Sequence, residues 1–254
     1  MTTERNPMSG EHPVAVITGA GAGIGRACAV RFGRDGFRVV VVDRTEADGR
    51  ETVELLKSGG AEALFIQADV ASQDQCRRFA GAAVQAYGRI DVLVANAGIR
   101  VFGTLLEATE EDWDRLLAVN LKGVAFSCTA VLPQMIAQKS GALVLMGSTT
   151  ALTGRPNMPL YDAAKFGVLS LTRSLAATHG KDGVRVNAVC PSFTLTEFHF
   201  RKAAAQGISA EELWEHNKGY GLLGRPGKPE EIAAVVAFMA GSDASFVTGQ
   251  YLIV

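Results

Sequence analysis

Short apolar runs alternate along the chain with longer segments in which polar and apolar positions mix at helical spacing. The runs fall at 14–18, 38–42, 63–67, 91–95, 142–147, 184–189 and 250–254. Several are apolar at nearly every position, as in Val39-Val40-Val41-Val42 and Val92-Leu93-Val94. An unbroken run predicts a strand covered on both faces, which is the habit of a parallel sheet. Between the runs, helices are predicted over 23–35, 74–87, 109–138 and 160–179. Strand and helix in this alternation imply an α/β fold, a doubly wound open sheet with helices on both faces. No repeat, low-complexity stretch or linker divides the sequence, and 254 residues suit one large domain. That domain is expected over 13–254, behind a loose polar tail at 1–12.

Composition mainly excludes. The net charge is −1 with acids and bases interspersed, so nothing here attracts nucleic acid or an anionic membrane. No apolar run approaches the roughly 18–20 residues of a membrane helix. The N-terminal segment also lacks the apolar core of a signal peptide. The four cysteines (Cys28, Cys76, Cys128, Cys190) lie far apart and form no C-x-x-C pair. No metal site is expected, and the default location is a reducing cytoplasm.

The first strand runs into Thr18-Gly19-Ala20-Gly21-Ala22-Gly23-Ile24-Gly25, with a helix behind it. A glycine turn between strand and helix lets the backbone approach a pyrophosphate, and the helix N-terminus supplies N–H groups to hold it. The spacing is not G-x-G-x-x-G, so a merely flexible turn stays open as the alternative. Asp43 closes the second strand, where a carboxylate accepts hydrogen bonds from an adenosine ribose and repels a ribose phosphate. That favours NAD over NADP. Arg44 beside it weakens the preference, and a helix cap or loop acid is the plainer reading of Asp43.

Ser148 follows the run 142–147, at the C-terminal edge of the sheet, where open α/β folds bind ligands. Tyr161 and Lys165 are four residues apart in a helical segment and therefore share one face. A free tyrosine titrates near pH 10, so moving a proton near neutrality requires a close positive charge. One ammonium about 4 Å away supplies on the order of 4 kcal/mol at an effective dielectric near 20. That is enough for the task. Alone, such a pair is more often two surface neighbours.

Taken in order, the glycine turn, Asp43, Asp69-Val70, Asn96-Ala97-Gly98, Asn120, Ser148 and Tyr161-x-x-x-Lys165 resemble the short-chain dehydrogenase/reductase family. The resemblance runs from Val14 to Val254 and implies a Rossmann-type parallel sheet of seven strands. It implies that Tyr161 is the general acid/base and that Lys165 holds the nicotinamide ribose. Ser148 would bind the substrate oxygen, and Asn120 would anchor a water linking Lys165 to solvent. Cofactor contacts would come from Gly19, Ala22, Gly23, Ile24 and Gly25, from Asp43 and Arg44, from Asp69 and Val70, and from Asn96, Ala97 and Gly98. Pro191, Thr194 and Thr196 match the segment beside the nicotinamide carboxamide.

Three positions depart from the family pattern. Ala95 stands where Asn is common, Ser192 replaces the Gly that usually follows Pro191, and the segment after Thr248-Gly249-Gln250 is short. The last of these leaves a homodimer and a homotetramer both open.

The implied activity is reversible hydride transfer between NAD and a secondary alcohol or ketone. A substrate lid is expected over about 193–223, rich in aromatics: Phe193, Phe198, Phe200, Trp214 and Tyr220. This suggests a mainly apolar substrate met by Ser148, Thr150, Phe193, Phe198, His199 and Trp214. Packing of the lid itself accounts for the same aromatics equally well. Arg100 and Arg155 are in reach of a substrate carboxylate, or simply solvated. His179 is expected to cap helix carbonyls, and Thr109-x-x-Asp112 to form a capping box. The competing functions are an NADPH-dependent ketoacyl reductase of the same family and a non-catalytic NAD-binding regulator.

Overall fold

The computed structural model describes residues 12–254. In chain order the elements are β1 (Val14–Thr18), α1 (Gly23–Arg34), β2 (Arg38–Asp43), α2 (Glu46–Ser58), β3 (Ala63–Gln67), α3 (Gln73–Tyr87) and β4 (Val92–Ala95). Then follow α4 (Glu110–Leu117), α5 (Gly123–Gln138), β5 (Gly141–Met146), α6 (Thr150–Thr153), α7 (Pro159–His179) and β6 (Val184–Cys190). The lid helices α8 (Glu197–Ala204) and α9 (Ala210–His216) precede α10 (Pro229–Ala240) and β7 (Tyr251–Ile253). The seven strands make one parallel sheet in the order β3-β2-β1-β4-β5-β6-β7. Chain direction across the sheet reverses between β1 and β4, which opens a crevice at their C-terminal ends.

Unbroken apolar strands are explained by two cores. Alternate residues (Val14, Val16, Val40, Leu93, Leu143) pack against Phe79 of α3 and Val131 and Met135 of α5. The residues between them (Ala15, Ile17, Val39, Val94, Val144) pack against Phe32 of α1 and Val236 of α10. Both faces are dry, so no polar alternation survives in the sequence. Phe32 and Phe79 are each at most 1% exposed, and truncating either to Ala costs about 3–5 kcal/mol.

The helix expected over 109–138 departs from the sequence reading. It is helical throughout but interrupted by a π-helical turn, Ala118–Lys122, between α4 and α5. By length and composition Glu110–Gln138 is also apolar enough to cross a membrane, contrary to the sequence-based count. Its apolar residues instead serve the fold: Val124, Cys128, Val131 and Met135 are in the core. The box at Thr109 and Asp112 forms as expected. His179 differs, its Nδ1 lying 3.0 Å from Asp182 Oδ2 rather than on a helix carbonyl. The tail expected at 1–12 lies outside the described residues except for His12, which is exposed and 3.1 Å from Gly36 O.

Candidate active site

Lys165 is 4% exposed in α7, and its Nζ donates to the carbonyl of Met146 at 2.7 Å. The ammonium is thereby drawn to the C-terminal end of β5, next to Ser148. It also lies 5.7 Å from the ring centroid of Tyr161, one turn earlier on the helix. Tyr161, like Ile99 and Val101, packs against the buried cluster of Leu116, Leu160 and Ala164.

Ser148 is 7% exposed. The Thr150 N–H donates to Ser148 Oγ at 3.2 Å, and the two hydroxyls are 2.9 Å apart. With a backbone donor filling one lone pair, the Ser148 hydroxyl proton is free to serve as a donor. Thr150, expected at the substrate, therefore orients Ser148.

Asn120 is fully buried in the π-helical turn. Its Oδ1 accepts the Ile99 N–H at 2.8 Å, and its Nδ2 donates to Ile99 O at 2.9 Å. Both polar ends of the side chain thus hold the loop after β4. Gly98 closes the arrangement: a Cβ there would stand 3.5 Å from Asn120 Oδ1 and 3.8 Å from Lys165 Nζ.

The glycine turn crosses the crevice. Gly19 takes φ +63°, and a Cβ on it would lie 2.8 Å from Ala97 Cα. Asn96 Nδ2 donates to Thr18 O and Gly19 O at 3.0 Å each, tying the ends of β1 and β4 together. Ala95, which replaces the common Asn, is 2% exposed inside β4, where a methyl group suffices. Helix α1 opens with no capping side chain at Ala22 and no acid in its first turn. The Gly23 N–H is met from across the fold by the Glu197 carboxylate at 2.8 Å, and a helix start beside a glycine turn that takes an acidic oxygen fits a pyrophosphate.

Asp43 sits where the adenosine ribose was expected. Its Oδ2 accepts the Gly21 N–H and its Oδ1 the Thr45 N–H, each at 2.9 Å. Arg44 and Asp69 are exposed on the rim of an open cleft of about 370 Å³, which Ile99, Arg100 and Val119 also line. Val70 turns its side chain into the core against Gly123. Its main chain alone is left for the groove.

On the other wall, Pro191 accepts the Thr149 N–H at 3.2 Å, and Ser192 N donates to Val254 O at 2.6 Å. Thr194 is buried with its hydroxyl on Ser192 O at 3.2 Å, so it secures the segment rather than facing the groove. Thr196 caps α8, and its Cγ2 would be 3.3 Å from a Cβ on Gly23.

The lid aromatics divide. Phe193 and Phe198 flank His199 at ring distances of 5.6 and 5.4 Å, and Phe193 stacks on Tyr220 at 4.8 Å. Trp214, half-buried, instead meets the Lys228 ammonium, 5.8 Å from its ring centroid. His199 Nε2 is 3.1 Å from Arg100 Nη1. Burial first, then the charges of Arg100, Lys202 and Arg155, hold its pKa down to about 4. One contact has no local signature in the residues: Glu197 accepts the Gly23 N–H at 2.8 Å. All four thiols are buried, and burial pushes Cys28 and Cys128 up to about 12, which removes them as nucleophiles.

The family model described as enoyl-(acyl carrier protein) reductase matches residues 19–254. An uncharacterized oxidoreductase of Thermotoga maritima is 40% identical over 245 residues, covering 96% of both chains. Meso-2,3-butanediol dehydrogenase of Serratia marcescens is 39% identical, over 94% of this chain and 91% of the relative. The 3-oxoacyl-[acyl-carrier-protein] reductase of Thermotoga maritima is 37% identical, over 95% and 96%. The crystal structure of gox2181 superposes with a TM-score of 0.87 at 34% identity, covering 96% of this chain and 94% of that one. The chain belongs to the short-chain dehydrogenase/reductase family and is an oxidoreductase with a Rossmann-type fold. Members of this family use a nicotinamide cofactor.

Proposed function

We propose that the protein is an NAD-dependent alcohol dehydrogenase or ketone reductase acting on a secondary alcohol or ketone with a substantial apolar part. The observation that carries this reading is the convergence of Lys165 Nζ on Met146 O at 2.7 Å, with the Tyr161 ring centroid 5.7 Å from the ammonium and Ser148 two residues past Met146. The glycine turn at the start of α1, the Asn96 strut and Asp43 would hold the dinucleotide. When bound, the nicotinamide supplies the hydride acceptor or donor. Tyr161 takes the hydroxyl proton during oxidation and returns it during reduction. Ser148 donates a hydrogen bond to the same oxygen, a preorganised contact worth several kcal/mol as charge develops. Lys165 keeps a positive charge under the phenol, and Asn120 holds Ile99 so that the wall around Tyr161 stays shut.

The test is Tyr161→Phe. NAD should bind with unchanged affinity by fluorescence titration while turnover of a panel of secondary alcohols falls by at least a thousandfold. Turnover close to that of the unaltered enzyme would sink the assignment.

The 37% identity to a 3-oxoacyl-[acyl-carrier-protein] reductase supports a second reading, ketoacyl reduction with NADPH. Asp43 opposes it, because its carboxylate would face a ribose phosphate. A homodimer or homotetramer also fits: β7 leaves Tyr251, Leu252 and Ile253 at least 36% exposed, and Phe246 is fully exposed nearby.

A further inference from the structure

Arg100 is a cation without an acid. Among the described residues no carboxylate pairs with its guanidinium, nor with that of Arg155. Nine of the other described arginines do have one, Arg26, Arg38, Arg89 and Arg225 among them. Arg100 is held instead between a histidine nitrogen 3.1 Å away and the face of Phe198, 5.7 Å from its ring centroid. Its neighbours Ile99 and Val101 pack in the cluster that contains Tyr161. Arg155 joins the same rim, because Gly103 N donates to Asn157 O at 3.0 Å and ties the two arginine loops together. Asp162, next to Tyr161, accepts the Arg155 backbone N–H at 2.9 Å and makes no ion pair with its guanidinium. The Arg155 side chain turns to the sulfur of Met158.

His199 is a poor partner for Arg100. Its Nδ1 receives the Thr196 N–H at 3.1 Å, so a neutral ring in that tautomer presents Nε2–H to a second donor. An anion between the two groups would relieve this by accepting from both. Like charges gathered without a counter-ion around an open site are a vacancy for a negative group.

We propose that Arg100 and Arg155, with His199, form an anion subsite beside Tyr161. The substrate would then be an alcohol or ketone bearing a carboxylate-type group, with its apolar part against Phe193 and Phe198. This rests on the dehydrogenase reading above and narrows its substrate class. Arginine suits the task because its planar fork binds a carboxylate through two parallel hydrogen bonds.

The experiment compares 4-(1-hydroxyethyl)benzoate with its methyl ester, and 4-hydroxypentanoate with its methyl ester, using NAD. The acids should exceed the esters at least tenfold in kcat/KM, mainly through KM. Arg100→Met should bring the acid-to-ester ratio close to one, and Arg155→Gln should lower it about threefold to tenfold. In parallel, 4-ethylbenzoate, which has the anion but no carbinol, is titrated calorimetrically into the NAD complex of the native enzyme and of both variants. Binding lost in Arg100→Met supports the subsite even if no alcohol turns over, an outcome that would defeat only the dehydrogenase reading. Equal turnover of acids and esters, or 4-ethylbenzoate binding that ignores both substitutions, overturns the subsite and leaves the dehydrogenase standing.

Discussion

The backbone N–H of Gly23 donates to the carboxylate of Glu197 at 2.8 Å, joining the phosphate turn to the first residue of a lid helix 174 positions away. Arg26 Nη1 stands 4.0 Å from the other carboxylate oxygen. A negative side chain thus rests where the helix N-terminus would greet a pyrophosphate. Binding a dinucleotide sets phosphate and carboxylate in competition for one donor. Glu197→Gln should therefore tighten NAD and ADP binding by about threefold to tenfold, a modest gain because the pair is partly solvated. Adenosine, which has no phosphate, should bind the variant as it binds the native protein. Calorimetry with the three ligands checks this, and an unchanged NAD affinity would refute it.

Cofactor choice should turn on Asp43. Its two oxygens are committed to Gly21 and Thr45, so the carboxylate is fixed in place rather than free to swing away from a ribose phosphate. Asp43→Asn should raise the NADPH-to-NADH ratio of kcat/KM by about tenfold to a hundredfold. Melting temperature should fall slightly, since the amide group cannot accept from both N–H donors through both of its ends. A ratio that stays put would remove the main support for NAD.

The pH response of the lid is set at His199. In the folded chain its pKa lies at about 4, while an unfolded histidine titrates near 6.5. The fold favours the neutral ring, so this contribution is complete above about pH 6.5 and is lost as pH falls towards 4. Proton NMR should show a His199 midpoint near 4. Arg100→Met should move it upward, with burial still keeping it below the ordinary value.

Arg185 predicts a large effect on stability from a polar side chain. From β6 it donates to the carbonyls of Met239 at 2.8 Å, Ala240 at 2.8 Å and Gly241 at 3.0 Å, closing the C-terminal end of α10. Arg185→Met leaves these acceptors unpaired and should cost about 3 kcal/mol. At this chain length that lowers the thermal midpoint by about 6–12 °C, readable by calorimetry. NAD affinity should hardly change.

Much of this architecture could be read in the residues. Strand ends at Thr18 and Ala95 coincide with the apolar runs because continuous burial on two faces leaves a clear edge where polarity resumes. Tyr161, Lys165 and Ser148 were legible because helix period and sheet edge are local rules. Glu197 was not, since a carboxylate bonded to a distant backbone N–H has no local signature. The family resemblance puts Val70 and Thr194 at the groove, while packing against Gly123 and Ser192 turns their side chains elsewhere. Helix α2 is amphipathic but short of strong apolar residues, and it escaped notice for that reason.

The π-helical turn Ala118–Lys122 was invisible for another cause: apolar residues continue through it without a break in pattern. It holds one residue more than an ordinary helix would need there: five residues of a π turn cover about the rotation of four α-helical ones. Removing one residue would let an ordinary helix run from α4 into α5 with Val124, Cys128 and Val131 still facing the core, and the loss would fall on the widened turn that seats Asn120 against Ile99. A single deletion there should spare the fold and be felt at the site.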